Sequence, residues 1–305
     1  SIAVTDVTSG QYGNDATYTV IVTASEALED APTLSLAGGS VGSGAGSGGG
    51  STTIWTYTFT PTSADQAVTI DVAAGAITDA AGNDNTAAAT QFAFTHDRTA
   101  PTVVITTTSV DTGGSHNGAA TMIFTFSETM TGISDSDFTF NNCDKSGYSA
   151  QSGTVYHQVC TPTSNGATVT VGAPASVGTD AAGNNNAVGT DFTFTYDTTV
   201  PTVSTITVTG VTAGSYGTAA TYVVIVTASE ALEDAPTLTL GGGTVGDGAG
   251  SGGGSTTIWT YTFTPTSADQ AVTIDVAAGA ITDAAGNDNT AAATQFAFTH
   301  DRTAP

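Results

Sequence analysis

The chain has 305 residues, with 27 acidic side chains against three lysines and arginines, and its formal net charge is −24 at pH 7. Because binding to phosphates requires cationic side chains, this balance excludes a nucleic-acid partner and docking on anionic membranes. The sequence contains no run of 18 apolar residues, so we expect no membrane insertion in this segment.

Three acidic turns, each followed by an Asp-x-Thr-x-Pro motif, divide the chain into repeated units. The hexapeptide at residues 54–59 returns unchanged at residues 258–263, whereas the middle unit is a diverged relative. Internal repetition at this period indicates separate modules of about 100 residues, each large enough to bury a core. The sequence therefore predicts three domains in A-B-A order, at residues 1–99, 100–199 and 200–305.

The first unit is predicted to consist of short strands, because its β-branched and apolar residues alternate with polar ones. No helical period is sustained, so the fold class is all-β. About seven short strands in about 100 residues are typical of an immunoglobulin-like β-sandwich, and we predict a tandem array of three. The predicted strands of the first unit lie at residues 2–7, 18–23, 33–36, 55–59, 67–72 and 92–95.

Glycine and serine dominate residues 38–51 of the first unit and residues 241–255 of the third, so we expect no regular element there. The next predicted strand places Trp55, Tyr57 and Phe59 on one face. This face is interpreted as core. An exposed platform for sugars would have the same sequence pattern, and solvent exposure of the rings distinguishes the two.

Cys143 and Cys160 both lie in the middle unit, 17 residues apart, and flank a loop between two predicted strands. A disulfide fits this arrangement and would contribute about 3 kcal/mol for a loop of that size. It would indicate an oxidising, extracellular environment. Two free buried thiols are the alternative.

The middle unit resembles the bacterial Ig-like repeats of large surface adhesins. The resemblance rests on residues 124–128, 131–133, 137–138, 179–184 and 197–201, and the outer units fit the same pattern. It implies a tandem, non-enzymatic rod at the cell surface or in the extracellular space, and in several such adhesins calcium stiffens the domain junctions. The long Gly/Ser segments and the cysteine pair depart from the pattern.

Acidic residues are predicted to converge where one unit enters the next. In an up-and-down order of strands, the Ser-Glu pair after the second strand and the Asp-x-Ala-Gly-Asn turn share this end of the unit. Grouped carboxylates repel one another without a cation, and Ca²⁺ prefers carboxylate and amide oxygens. We predict one Ca²⁺ per junction; the alternative is that these residues only cap turns. The candidate ligands are Asp97, Glu128, Asp180 and Asn184 at the first junction, Asp197, Glu230, Asp283 and Asn287 at the second, and Glu26 and Asp79 in the first unit.

No motif predicts catalysis. The Gly-x-Ser-x-Gly match around Ser40 lacks the helix that a nucleophile elbow requires, and Thr244 replaces this serine in the third unit. His96 and His300 are expected to be exposed strand ends. We therefore expect no enzyme activity.

The sequence favours a structural segment of an extracellular filament, stalk or adhesin. Its partners would be further copies of the same repeat in the chain, and unpaired sheet edges leave self-association into a filament open. Two alternatives remain at this point: a glycan- or surface-binding module that uses the aromatic strand, and a non-catalytic spacer of a larger secreted enzyme.

Overall fold

The computed structural model describes residues 1–46, 52–250 and 256–305, and over these residues the protein consists of β-strands and one short 3-10 helix. This confirms the prediction of an all-β chain. Within the described residues, no helix is long and apolar enough to cross a membrane.

The strands are numbered in chain order. The first unit holds β1 (Ile2–Val4), β2 (Tyr12–Gly13), β3 (Tyr18–Leu28), β4 (Ser35–Ala37), β5 (Gly39–Val41), β6 (Ala45–Gly46), β7 (Thr52–Pro61), β8 (Asp65–Asp71) and β9 (Phe92–Asp97). The middle unit holds β10 (Val103–Thr106), β11 (Ser115–His116), β12 (Ala120–Phe126), the 3-10 helix (Asp135–Asp137), β13 (Thr139–Asn141), β14 (Cys143–Ala150), β15 (Val155–Pro162), β16 (Thr168–Gly172) and β17 (Phe192–Tyr196). The third unit holds β18 (Val203–Val208), β19 (Tyr216–Gly217), β20 (Tyr222–Leu232), β21 (Thr239–Gly241), β22 (Gly243–Val245), β23 (Ala249–Gly250), β24 (Thr256–Pro265), β25 (Asp269–Asp275) and β26 (Phe296–Asp301).

Each unit is a sandwich of two sheets. In the first unit, one sheet has the order β1-β3-β7-β5 with β6 also on β7, and the other has the order β2-β9-β8-β4. The middle and third units repeat this plan, and in all three a two-residue strand pairs in parallel with the last strand. The chain therefore changes sheet after each of the first four strands. This corrects the up-and-down order, because alternation within a strand does not encode which sheet it joins.

Apolar residues at alternate positions fill the space between the two sheets of each unit. In the first unit, Val20 and Phe59 of one sheet are fully buried, as are Val68 and Ile70 of the other. Burying a side chain of this size contributes about 1.5–3 kcal/mol. The middle and third units have core clusters of their own, so each unit is stabilised by its own packing.

The Gly/Ser segments do contain strands, which corrects the prediction for residues 38–51 and 241–255. The strands β5 and β6 pair with β7, and β22 and β23 pair with β24. Glycine is required here because the aromatic rings of β7 lie against the backbone. A Cβ on Gly39 would lie 2.2 Å from Phe59 Cζ, and one on Gly44 would lie 2.6 Å from Tyr57 Cε1. Residues 47–51 and 251–255 of the predicted loops lie outside the described residues.

The aromatic face of β7 is core. Phe59 is fully buried, and Tyr57 is 5 % exposed and donates a hydrogen bond from its hydroxyl to the Pro32 carbonyl oxygen at 2.6 Å. Trp55 is half-buried and packs against the same core. The third unit has the same arrangement at Trp259, Tyr261 and Phe263. The rings therefore do not form the exposed platform that a glycan-binding strand would need.

Replacing Gly39 with alanine is expected to destabilise the first unit by about 1–3 kcal/mol, because overpacking forces the Phe59 ring or its neighbours to move. Chemical denaturation of the full chain measures this loss. Gly42→Ala is the matched control, since a Cβ at Gly42 meets nothing within 4 Å. Equal stability of the two variants would contradict the packing argument.

The predicted disulfide is present. Cys143 and Cys160 are bonded across the β14–β15 hairpin, with their Cα atoms 5.6 Å apart. This separation lies in the usual range for disulfides. Cys160 is fully buried in the core of the middle unit, so the bond links the hairpin to that core. The alternative of two free thiols is wrong.

His96 and His300 are buried, which corrects the expectation of exposed strand ends. Each is 2 % exposed, and its Nδ1 atom lies 2.8 Å from a tyrosine hydroxyl, that of Tyr18 or Tyr222. The Asp15 backbone N–H donates to the Tyr18 hydroxyl, which leaves the Tyr18 proton for His96 Nδ1. Burial lowers the pKa of His96, as expected for a neutral core histidine. The partner tyrosine lies 78 residues away, so local sequence could not reveal it.

Candidate metal centres at the unit junctions

The serine of each Ser-Glu pair forms two hydrogen bonds with the linker between units. Thr102 donates its backbone N–H to Ser127 Oγ at 3.0 Å, and the Ser127 N–H donates to the Thr102 carbonyl oxygen at 2.9 Å. Thr202 and Ser229 make the same two bonds at the second junction, at 2.9 and 2.8 Å. These bonds hold the first residues of each unit beside the Ser-Glu pair of the same unit.

The Asp-x-Ala-Gly-Asn turn is organised around its aspartate. Asp180 Oδ1 accepts the backbone N–H groups of Ala182 and Asn184 at 2.8 and 2.9 Å, and Oδ2 accepts the Asn184 side-chain amide at 2.9 Å. Gly183 has φ +89°, a left-handed conformation that glycine adopts without strain. The Asp283 turn has the same bonds. These bonds fix the direction of each turn carboxylate.

Three carboxylates from two units meet at each junction. Asp97 comes from the end of β9, Glu128 follows β12, and Asp180 belongs to the turn before β17. One oxygen atom from each of the three carboxylates lies within 4.8 Å of the other two. Asp197, Glu230 and Asp283 form the same arrangement at the second junction. The structure thus brings together the six carboxylates that the sequence grouped, and their role as metal ligands stays a prediction.

Each cluster opposes ionisation of its own glutamate. Burial raises the pKa of Glu128, and the charges of Asp97, Asp180 and Asp65 raise it further. Burial likewise raises the pKa of Glu230, with added repulsion from Asp283 and Asp197. A bound cation would reverse this repulsion, because it would stabilise the charged form of every carboxylate around it.

Asn184 and Asn287 bridge the units through hydrogen bonds. The Asn184 amide donates to the Asp97 carbonyl oxygen at 3.0 Å, while its Oδ1 accepts from Asn14 Nδ2 at 3.3 Å. Asn287 makes the equivalent bonds to the Asp197 carbonyl oxygen at 2.9 Å and from Asn117 Nδ2 at 3.1 Å. Their side-chain oxygens are therefore engaged by the upstream unit, and the structure gives both asparagines a bridging contact.

Glu26 and Asp79 are not brought into a three-carboxylate cluster by the described residues. Glu26 is exposed, and Asp79 is more exposed than Asp180 or Asp283, which are 4 % and 2 % exposed. The Asp79 turn is nevertheless formed, and the Asn83 side chain donates to it and lowers the pKa of Asp79. The cluster needs an aspartate from an upstream unit, which these two residues lack in the described chain.

A second asparagine in each turn was missed from the sequence. Asn186 is 2 % exposed, its Oδ1 accepts the backbone N–H groups of Val177 and Gly178, and its Nδ2 donates to the carbonyl oxygens of Pro174 and Ala187. Asn85 and Asn289 make the corresponding sets of four bonds. The recurring Asn-x-Asn spacing could have identified them. Asn14 and Asn117 gave no such signal, because their neighbours differ.

The family model of the bacterial Ig-like domain matches residues 2–96, 97–196 and 197–300. No curated protein matches the chain in sequence.

Three solved structures that align with the chain have low sequence identity to it. The Escherichia coli adhesin FdeC is 12% identical in sequence, with a TM-score of 0.46. The alignment covers 98% of this chain and 96% of the FdeC chain. The I9–I11 tandem of titin is 9% identical, with 98% of each chain covered and a TM-score of 0.28. The SGBP-B protein of Bacteroides ovatus, whose structure was solved with a mixed-linkage heptasaccharide, is 12% identical in sequence, with a TM-score of 0.20. The alignment covers 96% of this chain and 67% of the SGBP-B chain.

The three family matches follow one another along almost the whole chain and bear out the resemblance drawn from the sequence. The two-sheet sandwiches described above are accordingly three Ig-like domains in tandem, and the chain belongs to the bacterial Ig-like domain family.

Proposed function

We propose that this chain is a structural, non-catalytic segment of an extracellular or cell-surface rod, in a filament, stalk or adhesin, and that Ca²⁺ stiffens its two junctions. The observation that carries the proposal is the pair of three-carboxylate clusters, each assembled from two neighbouring units. A cation held by both units would couple their orientation. A site inside a single unit would not have this effect.

The donor set suits calcium. Ca²⁺ binds six to eight oxygens at about 2.3–2.6 Å, so two oxygens on one ion lie no more than about 5 Å apart. In each cluster, one oxygen atom from each carboxylate lies within 4.8 Å of the other two, which meets this limit. Neither cluster includes histidine or cysteine, the ligands that favour zinc and copper.

A stiff junction would give the rod reach, because each unit would keep a fixed direction relative to the next. The buried prolines Pro101 and Pro201 and the Asn184 and Asn287 bridges already restrict the linkers. Calcium would add ionic bonds across the same contact and remove the repulsion among the carboxylates. The acidic surface would keep such a rod soluble.

Calorimetric titration of the full chain with Ca²⁺ tests the proposal. We expect one ion per junction in the wild-type chain, and loss of both ions in the double variant Glu128→Gln, Glu230→Gln. Glu26→Gln is the matched control and should bind as the wild type does, because Glu26 lies outside the two clusters. Absence of binding, or binding that the double variant retains, would refute the junction sites.

A further inference from the structure

We infer that Asn117 is a site of spontaneous deamidation, and that its conversion to aspartate or isoaspartate loosens the second junction. Asparagine followed by glycine is the sequence most prone to this reaction, because glycine has no side chain to hinder attack by its backbone nitrogen. The chain contains two such pairs, Asn117-Gly118 and Asn165-Gly166, both in the middle unit. The hydrogen bonding around the two pairs differs, and it predicts that Asn117 is reactive and Asn165 is protected.

The backbone nitrogen of Gly118 is available for attack. Among the described residues it donates no hydrogen bond, whereas the Gly166 N–H donates to the Tyr196 carbonyl oxygen at 2.7 Å. Attack requires the nitrogen to turn toward the asparagine side chain and to lose its proton. The Gly166 nitrogen must first break its hydrogen bond, and the Gly118 nitrogen need not.

The reaction balances without an oxidant or a cofactor. The Gly118 nitrogen bonds to Asn117 Cγ, the bond from Cγ to Nδ2 breaks, and the amide leaves as ammonia after gaining a proton. Water then opens the five-membered succinimide at either carbonyl. The products are aspartate, with the original backbone, or isoaspartate, with the backbone rerouted through the side chain.

The consequence follows from the bond that Asn117 makes. Its Nδ2 atom donates to Asn287 Oδ1 at 3.1 Å across the junction, and after deamidation two oxygen atoms would face each other there. A new negative charge would also lie close to an acidic cluster. Asn165 differs, because its Oδ1 atom accepts the backbone N–H of Thr198 within the middle unit, and a carboxylate can take the same role, as Asp65 does for the Arg98 N–H in the first unit.

Peptide mapping by mass spectrometry of the full chain, aged in warm and mildly alkaline buffer, tests the site. We expect Asn117 to deamidate at least about fivefold faster than Asn165, equivalent to about 1 kcal/mol in barrier. Exposure alone predicts the reverse order, because Asn165 is exposed and Asn117 is half-buried. Equal rates, or a faster Asn165, would overturn the inference.

One variant tests the mechanism and one pair of variants tests the consequence. Gly118→Ala should slow deamidation of Asn117 and leave the rate at Asn165 unchanged; an unchanged Asn117 rate would overturn the assignment. Asn117→Asp should raise the rate of proteolytic cleavage in the second linker, whereas Asn165→Asp should not. Equal cleavage of these two variants would overturn the structural consequence.

Discussion

In calcium-free solution at pH 7, the double variant Glu128→Gln, Glu230→Gln is expected to melt at a higher temperature than the wild-type chain. Each substitution removes one of three carboxylates that lie within 4.8 Å of one another. Partly exposed charges at such distances repel by about 1 kcal/mol, so we expect a rise of about 4–8 °C for domains of this size.

Calcium should reverse that ranking. A ligand present at a hundred times its Kd stabilises the bound state by about 2.7 kcal/mol, and this gain would be available only to the wild-type chain. The pair of melting curves, with calcium and with chelator, should therefore cross. Among the described residues, neither glutamate side chain accepts a hydrogen bond, so glutamine at these positions removes the charge without breaking a hydrogen bond. A wild-type chain that melts higher than the variant in both solutions would contradict the account.

Replacing Asn186 with alanine is expected to destabilise the middle unit by about 2–4 kcal/mol, since each net hydrogen bond contributes about 0.5–1.5 kcal/mol. The side chain makes four bonds and is 2 % exposed, so its removal leaves buried backbone groups without partners. The loss should appear in urea unfolding as a lower midpoint with an unchanged slope.

Asn185→Ala provides the comparison. Asn185 is exposed and adjacent in sequence, and its side chain makes no hydrogen bond to the described residues. Surface substitutions of this kind change stability by less than about 0.5 kcal/mol. If both variants lost the same stability, the turn would depend on asparagine propensity and not on the buried hydrogen bonds.

Much of the fold was predictable because local patterns determine it. Alternation of apolar and polar residues predicted the main strands, including the one that carries Tyr57 and Phe59. Repetition of the Ser-Glu pair and of the aspartate turn predicted that six carboxylates would gather at two junctions. These inferences needed only the chain order and the fact that neighbouring units join at their ends.

The missed features depend on contacts between residues that are distant in sequence. The strand Gly39–Val41 packs against the Phe59 ring, and only glycine at position 39 leaves room for that ring. Neither the Gly/Ser segment nor the strand that carries Phe59 shows this requirement alone. His96 can be buried because its Nδ1 atom forms a hydrogen bond with the Tyr18 hydroxyl. The order of strands in the sheets is likewise set by three-dimensional packing, and the up-and-down assumption placed the right residues together because both orders put these loops at one end.

Small-angle X-ray scattering of the full chain, with calcium and then with chelator, tests the central claim most directly. If a cation stiffens both junctions, the wild-type chain in calcium should scatter as an extended rod with a sharply defined maximum dimension. Chelation should broaden its distance distribution, and Glu128→Gln, Glu230→Gln should give one profile in both solutions. Identical wild-type profiles with calcium and with chelator would contradict the claim, and would leave the junctions restricted by packing, proline and the asparagine bridges alone.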